Sequence, residues 1–168
     1  LEVNILGARL DTRQDGVAVD MLWISTPRGD VIEDPGRLKR IATVLTNVLT
    51  GSQSVEELVD RIAHRPAAPA HRAPRTTLNN EISDRCTVIE VLGEDRLGFA
   101  YSIATCLTGL GLNINFAKLS TEKNMAFDVF YLTDSTGAKI PEQRWGELIG
   151  NLERAIEPVP SGAVTAQG

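Results

Sequence analysis

Val88-Ile89-Glu90-Val91-Leu92-Gly93-Glu94-Asp95-Arg96-Leu97-Gly98-Phe99-Ala100-Tyr101-Ser102-Ile103-Ala104 joins an apolar β-branched run, a charged turn closed by glycine, and a helical apolar pattern that continues through Leu107 and Leu110. The spacing predicts a strand over 86–92, a tight loop, and a helix over about 97–110. A strand-to-helix turn leaves backbone N–H groups unpaired at the positive end of the helix dipole, where a carboxylate or phosphate is well received. Any ligand is therefore expected at this loop.

Downstream, Gly109 and Gly111 end the helix, with Gly111 placed as the left-handed residue past the cap. A long strand is expected over 112–122, then a turn at Lys123-Asn124 and a return strand over 125–133. Asp134-Ser135-Thr136-Gly137 is another turn, and Pro141-Glu142 opens a last helix whose Trp145, Leu148, Ile149, Leu152 and Ile156 share one face. The residues after Pro158 read as a frayed tail.

Upstream, residues 3–11 and 17–24 alternate apolar and polar positions and flank Arg13-Gln14-Asp15-Gly16, a hairpin signal. Asp34-Pro35 supplies an N-cap and a first-turn proline for a helix striped with Leu38, Ile41, Ala42, Leu45, Val48 and Leu49 and ended by Gly51. Ser54 and Glu57 form a capping box for a shorter helix bearing Leu58, Val59 and Ile62. Residues 65–75 have a linker composition, and Thr76 to Asn80 make a short strand.

The chain repeats itself. Ala8-Arg9-Leu10-Asp11-Thr12 matches Ala117-Lys118-Leu119-Ser120-Thr121, Asp20-Met21-Leu22-Trp23 matches Asp128-Val129-Phe130-Tyr131, and the stripe Leu38, Ile41, Leu45 matches Trp145, Leu148, Leu152. The second unit reads β-α-β-β-α and lacks one strand of the ferredoxin-like βαββαβ pattern. The first unit begins at its second strand. The expected architecture is thus α+β, two such units in tandem: 1–83, truncated at its N-terminus and including the linker 65–75, and 84–168. The strand at Thr76 is expected to close the first unit's sheet. The truncated unit is expected to need a borrowed strand or a partner chain across its open edge.

Composition narrows the function. The 168 residues carry 42% hydrophobic and 23% charged side chains with a net charge of -5, and no apolar run approaches bilayer length. A sequence-independent nucleic-acid binder would concentrate basic charge, and a ferredoxin-like RNA-binding sheet would carry more aromatics than 5%. The N-terminus, Leu1-Glu2-Val3-Asn4, has no secretory pattern and no initiator Met, so the sequence reads as a piece of something longer. Cys86 and Cys106 lack ligand spacing and read as structural thiols of a reducing compartment; His64 and His71 read as solvated. No nucleophile-base pair, Walker loop or zinc spacing is present, so no catalytic residue, metal or cofactor is expected.

Asn80-Glu81-Ile82-Ser83-Asp84-Arg85 leading into Thr87-Val88-Ile89-Glu90-Val91, with Asp95-Arg96-Leu97-Gly98, Gly111-Leu112-Asn113-Ile114 and Ala117 to Thr121, resembles the paired ACT domains at the C-terminus of the bifunctional uridylyltransferase/uridylyl-removing enzyme that modifies the signalling protein PII. Ile5-Leu6-Gly7-Ala8-Arg9, Asp15-Gly16 and Ile32-Glu33-Asp34-Pro35 extend the likeness to the first half. Leu97 stands where the family commonly has proline, which makes the loop less rigid. The resemblance implies a cytoplasmic regulatory module that senses an amino acid, glutamine being expected. It also implies catalytic nucleotidyltransferase and phosphohydrolase domains upstream, a chain without catalysis of its own, and homo-oligomers through ACT contacts.

For such a ligand, the N–H groups around Leu97 to Phe99 would hold the carboxylate, Gly98 would let it approach, and Asp95, next to Arg96, would pair with the ammonium. By resemblance, Asn113 and the Ile114 backbone face the same pocket. The same residues admit a structural reading in which Asp95 caps the helix and Gly98 only permits the turn. The function class opposed to sensing is a ligand-free module for dimerisation or intramolecular docking.

Overall fold

The computed structural model describes residues 3–12, 17–55, 57–58, 73–96, 98–122 and 124–157. Among these residues seven strands make one antiparallel sheet: β1 Asn4–Thr12, β2 Ala18–Ser25, β3 Arg75–Asn79, β4 Thr87–Glu94, β5 Asn113–Lys118, β6 Thr121–Glu122 and β7 Met125–Thr133. Across the sheet the order is β2-β1-β5-β7-β4-β3, with β6 beside β7. Three long helices accompany it: α1 Pro35–Leu49, α2 Phe99–Gly109 and α3 Trp145–Ile156, the last entered through a 3-10 turn over Glu142–Arg144.

The α+β class is as expected, and alternation explains where the core lies. Ile89 and Val91 of β4, Ala126, Phe130 and Leu132 of β7, and Ala117 of β5 turn to one face. There they meet Ile103 and Leu107 of α2 and Leu148, Leu152 and Ile156 of α3. Each of the Ile, Val, Leu and Phe side chains among these contributes about 1.5–3 kcal/mol of transfer free energy by leaving water. The order β5-β7-β4-β3 with two helices on one face is the arrangement a βαββαβ pattern requires. Helix α2 ends as its glycines predict: Gly111 has φ +73°, and the Leu112 N–H reaches back to the Leu107 carbonyl at 3.1 Å.

The first half has the same local structure with less covering it. Asp34 caps α1 by accepting from the Gly36 and Arg37 N–H groups at 3.0 and 3.2 Å, ahead of Pro35. The apolar stripe is present, yet Ile41 is its buried member while Leu38, Leu45 and Leu49 are exposed. The equivalent stripe in α3 is buried because α2 lies beside it, and among the described residues α1 has no such neighbour.

Three expectations change. The strand β3 pairs with β4 through Arg75↔Leu92 to Asn79↔Val88, so it fills the closing position of the second unit and not of the first. Asn80 fastens that junction: its side chain accepts from the Thr87 hydroxyl at 2.7 Å and donates to the Ile140 carbonyl, while Thr87 Oγ1 accepts from the Ile140 N–H at 2.8 Å. The long strand expected over 112–122 is interrupted at Leu119 and Ser120. There the Leu119 N–H bonds the Leu6 carbonyl of β1 at 3.1 Å, and the Ser120 N–H turns to the Asp128 carboxylate at 3.4 Å. Helix α2 starts at Phe99, later than expected, because Gly98 is held at φ +80°. The 13–16 turn, His64, His71, most of the linker, the rest of the helix begun at Ser54, and the tail lie outside the described residues; Ser54 does accept from the Glu57 N–H, as its capping role requires.

Candidate functional site

The loop after β4 is built by two glycines with different jobs. Gly93 faces the helices, and a Cβ there would stand 2.7 Å from Cε2 and Cζ of Phe99. The absent side chain lets the Phe99 ring lie on the strand, where it is only 3% exposed. Phe99 is thus a core residue. Gly98 holds the left-handed conformation from which α2 departs, with no side-chain cap. Its carbonyl accepts from the Ser102 N–H at 2.8 Å, and the Phe99 N–H donates to the Arg96 carbonyl at 3.1 Å. The Phe99 N–H is therefore spent inside the turn, contrary to expectation, whereas the Gly98 N–H bonds no described residue. Leu97 lies outside the described residues.

Asp95 does not cap the helix. Its N–H donates to the Asn124 carbonyl at 2.8 Å, pinning the loop to the β6–β7 turn, and its exposed carboxylate accepts from no described residue. Arg96 beside it is half-buried. An anion and a backbone N–H donor thus occupy one short loop, which suits a zwitterion.

Asn113 and Ile114 are elsewhere. Asn113 pairs with Thr133 and Thr87 pairs with Leu132, so the start of β5 lies near the start of β4, at the end of the sheet opposite the loop. Asn113 there donates to the Asp134 carbonyl at 2.9 Å, and Ile114 packs against the core. The structure does not bring them beside Asp95. What it brings there is the start of β1. Strands β1 and β5 pair antiparallel through Gly7↔Lys118, Ala8↔Ala117 and Arg9↔Phe116. That direction carries Asn4, Ile5 and Leu6 toward the end of the sheet that holds Ser120, Met125 and the loop. The signal was in the sequence: Asn4 and Ile5 match Asn113 and Ile114 at the offset that pairs Ala8 with Ala117.

Asp128, which matches Asp20 in the sequence repeat, has a distinctive setting. It lies on the helix face of β7, 4% exposed, opposite Val91. Burial pushes its carboxyl up to about 6, the Ser120 N–H opposes that shift, and the negative Asp95 adds to it. Its repeat equivalent Asp20 is exposed. Asp134 titrates low because the Thr136 hydroxyl and the Ala138 and Thr136 N–H groups hold its anion in the turn. Both cysteines are free and half-buried, and burial raises the Cys106 thiol, which suits a structural role. Among the described residues no group of His, Cys, Asp or Glu is placed to hold a metal ion, and no helix is long and apolar enough to cross a membrane.

Residues 82–162 match the model of the ACR family N-terminal ACT domain. The chain is 38% identical over 158 residues to a bifunctional uridylyltransferase/uridylyl-removing enzyme of Rhodospirillum rubrum, which covers 92% of this chain and 17% of that protein. Proteins of the same name from Bradyrhizobium diazoefficiens and Gluconobacter oxydans are 43% and 34% identical over 139 and 143 residues, covering 82% and 83% of this chain and 15% of each relative. The chain thus spans about one sixth of the length of these relatives. No solved structure matches it.

Proposed function

Residues 82–162 belong to the ACT-domain family and the chain is related to the bifunctional uridylyltransferase/uridylyl-removing enzymes, and from that premise we propose that it is the regulatory, amino-acid-sensing part of such an enzyme. Glutamine is the proposed effector and PII modification the activity it governs. Catalysis belongs to other domains of the parent protein, and the effector acts by binding two conformations of that protein with different affinity.

The observation that supports this reading is the antiparallel pairing of β1 with β5, which carries the start of β1 to the end of the sheet that holds the loop after β4. In the proposed site the Gly98 N–H and the α2 N-terminus receive the α-carboxylate, Asp95 pairs with the ammonium beside Arg96 and Leu97, and Asn4 reads the side-chain amide with one donor and one acceptor. By the same pseudo-symmetry Asn113 and Ile114 belong to an equivalent position at the other end of the sheet and not to this site. The proposed tandem counts β1, β2 and α1 in the first unit and β3 through α3 in the second.

Calorimetric titration of glutamine into the chain tests the assignment. Binding is expected, with Asp95→Ala and Asn4→Ala each weakening it about tenfold or more, the loss of a charge-assisted or amide contact. Asn113→Ala should leave this site untouched. Binding that survives Asp95→Ala places the effector elsewhere, and no heat with glutamine or any other amino acid favours the docking module.

A further inference from the structure

We propose that Asp128 is a positioning residue of the effector site: its carboxyl group ties the loop after β4 to the start of β1, and a cationic group held at Asp95 binds with release of the Asp128 proton to solvent. It rests on the site assignment given above and adds the group that couples the two halves of that site.

The break after β5 is where the coupling lies. Leu119 and Ser120 fall outside the strand, whereas their matches in the sequence repeat, Leu10 and Asp11, continue β1 unbroken opposite Asp20 and Val19. The difference follows the carboxylates. Asp20 is exposed, while Asp128 is buried and accepts from the Ser120 N–H at 3.4 Å. The peptides of the break then hold both halves of the site. The Ser120 carbonyl accepts from the Phe127 N–H at 2.7 Å, which fixes β7, and the Leu119 N–H donates to the Leu6 carbonyl at 3.1 Å, which fixes the start of β1. Three residues before Phe127, the Asn124 carbonyl accepts from the Asp95 N–H at 2.8 Å, which fixes the loop.

The setting of Asp128 makes its charge responsive. Val91 stands opposite on β4, and Ala126 and Phe130 flank it on the helix face of β7. The charged residues of the neighbouring strands, Glu90, Glu94, Lys118 and Glu122, alternate onto the other face. Helices α2 and α3 pack on this face, but their titratable groups, Tyr101, Cys106, Glu147, Glu153 and Arg154, are not among the charges that act on Asp128. The charge that does is Asp95, which joins burial in favouring the neutral acid.

A cation beside Asp95 offsets that repulsion and lets Asp128 ionise. The anion accepts the Ser120 N–H more strongly, and because charge-assisted bonds are about 2.7–2.9 Å long, the present 3.4 Å leaves slack to take up. Tightening draws Leu119, and with it Leu6 and the start of β1, toward the loop that holds the cation. Effector and proton therefore oppose each other by linkage, and each unit by which the effector lowers the Asp128 midpoint is about a tenfold gain in affinity.

Calorimetric titration of glutamine into the chain, from about pH 5 to about pH 7.5 and in paired buffers of different ionisation enthalpy, tests this. Glutamine has no group that titrates in that range. Affinity is expected to rise about three- to tenfold across it, with net proton release near pH 6. Asp128→Asn keeps an acceptor for the Ser120 N–H, and it should bind with the low-pH affinity throughout and release no proton. Without ligand, the Asp128 midpoint followed by carboxyl-carbon NMR should fall in Asp95→Asn. Affinity that is flat with pH, proton release that persists in Asp128→Asn, or an Asp128 midpoint unmoved by Asp95→Asn each overturns the coupling and leaves the site assignment standing. Absence of binding by any amino acid overturns the site assignment, and the coupling with it.

Discussion

Replacing Gly93 with alanine should destabilise the chain, and the sign of the effect is the informative part. Gly93 sits in a strand without a left-handed φ, so its backbone conformation is open to any residue. At such a position alanine ordinarily stabilises by about 0.4–1 kcal/mol, because it narrows the unfolded ensemble. Here the new Cβ would lie 2.7 Å from two atoms of the Phe99 ring, about 1 Å inside the normal carbon–carbon separation of roughly 3.5–4.0 Å. The ring cannot step aside freely, being 3% exposed at the first position of α2. Overpacking of this kind costs about 1–3 kcal/mol. With a urea slope of about 2 kcal/mol/M, the unfolding midpoint should fall by about 0.5–1.5 M. A double-mutant cycle isolates the contact: in a Phe99→Leu background Gly93→Ala should cost at least about 1 kcal/mol less, since the clashing ring edge is gone. Equal cost in both backgrounds, or a rise in midpoint for Gly93→Ala alone, would refute the idea that Gly93 exists to seat Phe99. Because Phe99 opens the helix after the effector loop, the variant should also weaken any ligand held there.

Asp128 provides a pH signature. Its carboxyl is raised from 3.8 to about 6 in the folded chain, chiefly by burial, so its favourable contribution is fully present below about pH 3.8 and is lost as pH rises through 6. The loss amounts to about 3 kcal/mol at most. Asp128→Asn keeps an acceptor for the Ser120 N–H without the charge, so it should match wild type in urea midpoint near pH 4 and exceed it above pH 7; a difference that does not vary with pH sinks the burial argument. Asp34→Ala removes the acceptor for two N–H groups of α1 and should cost that helix about 1 kcal/mol. Hydrogen exchange should show faster exchange across 36–49 with little change in α2 and α3, since α1 packs loosely against the rest. Protection that drops equally everywhere would mean that α1 is part of the cooperative core.

Much of the local structure was legible. Periodicity and punctuation identified the three long helices, both hairpins' strands, the Asp34 cap and the Gly111 stop, because each depends on residues a few positions apart. The candidate loop was legible for the same reason. Its membership was only partly so: Asp95 and Gly98 stand in the loop as read, whereas Phe99 is consumed by the core, Leu97 lies outside the described residues, and Asn113 faces the other end of the sheet.

By itself the sequence determined the element types and the ACT domain of residues 82–162, both carried by local spacing and by order along the chain. Only the tertiary structure decided which strands are neighbours. Strand β3 joins the second unit because the hydrogen bonds of Asn80 to Thr87 and Ile140 hold it there, a matter of residues 60 apart in the case of Ile140. Asn4 in place of Asn113 comes to the loop end because β1 and β5 run antiparallel, and pairing direction between distant strands leaves no trace in the spacing of either. Asp128 is buried and Asp20 exposed although they are repeat equivalents, since burial depends on whether a helix arrives to cover the strand.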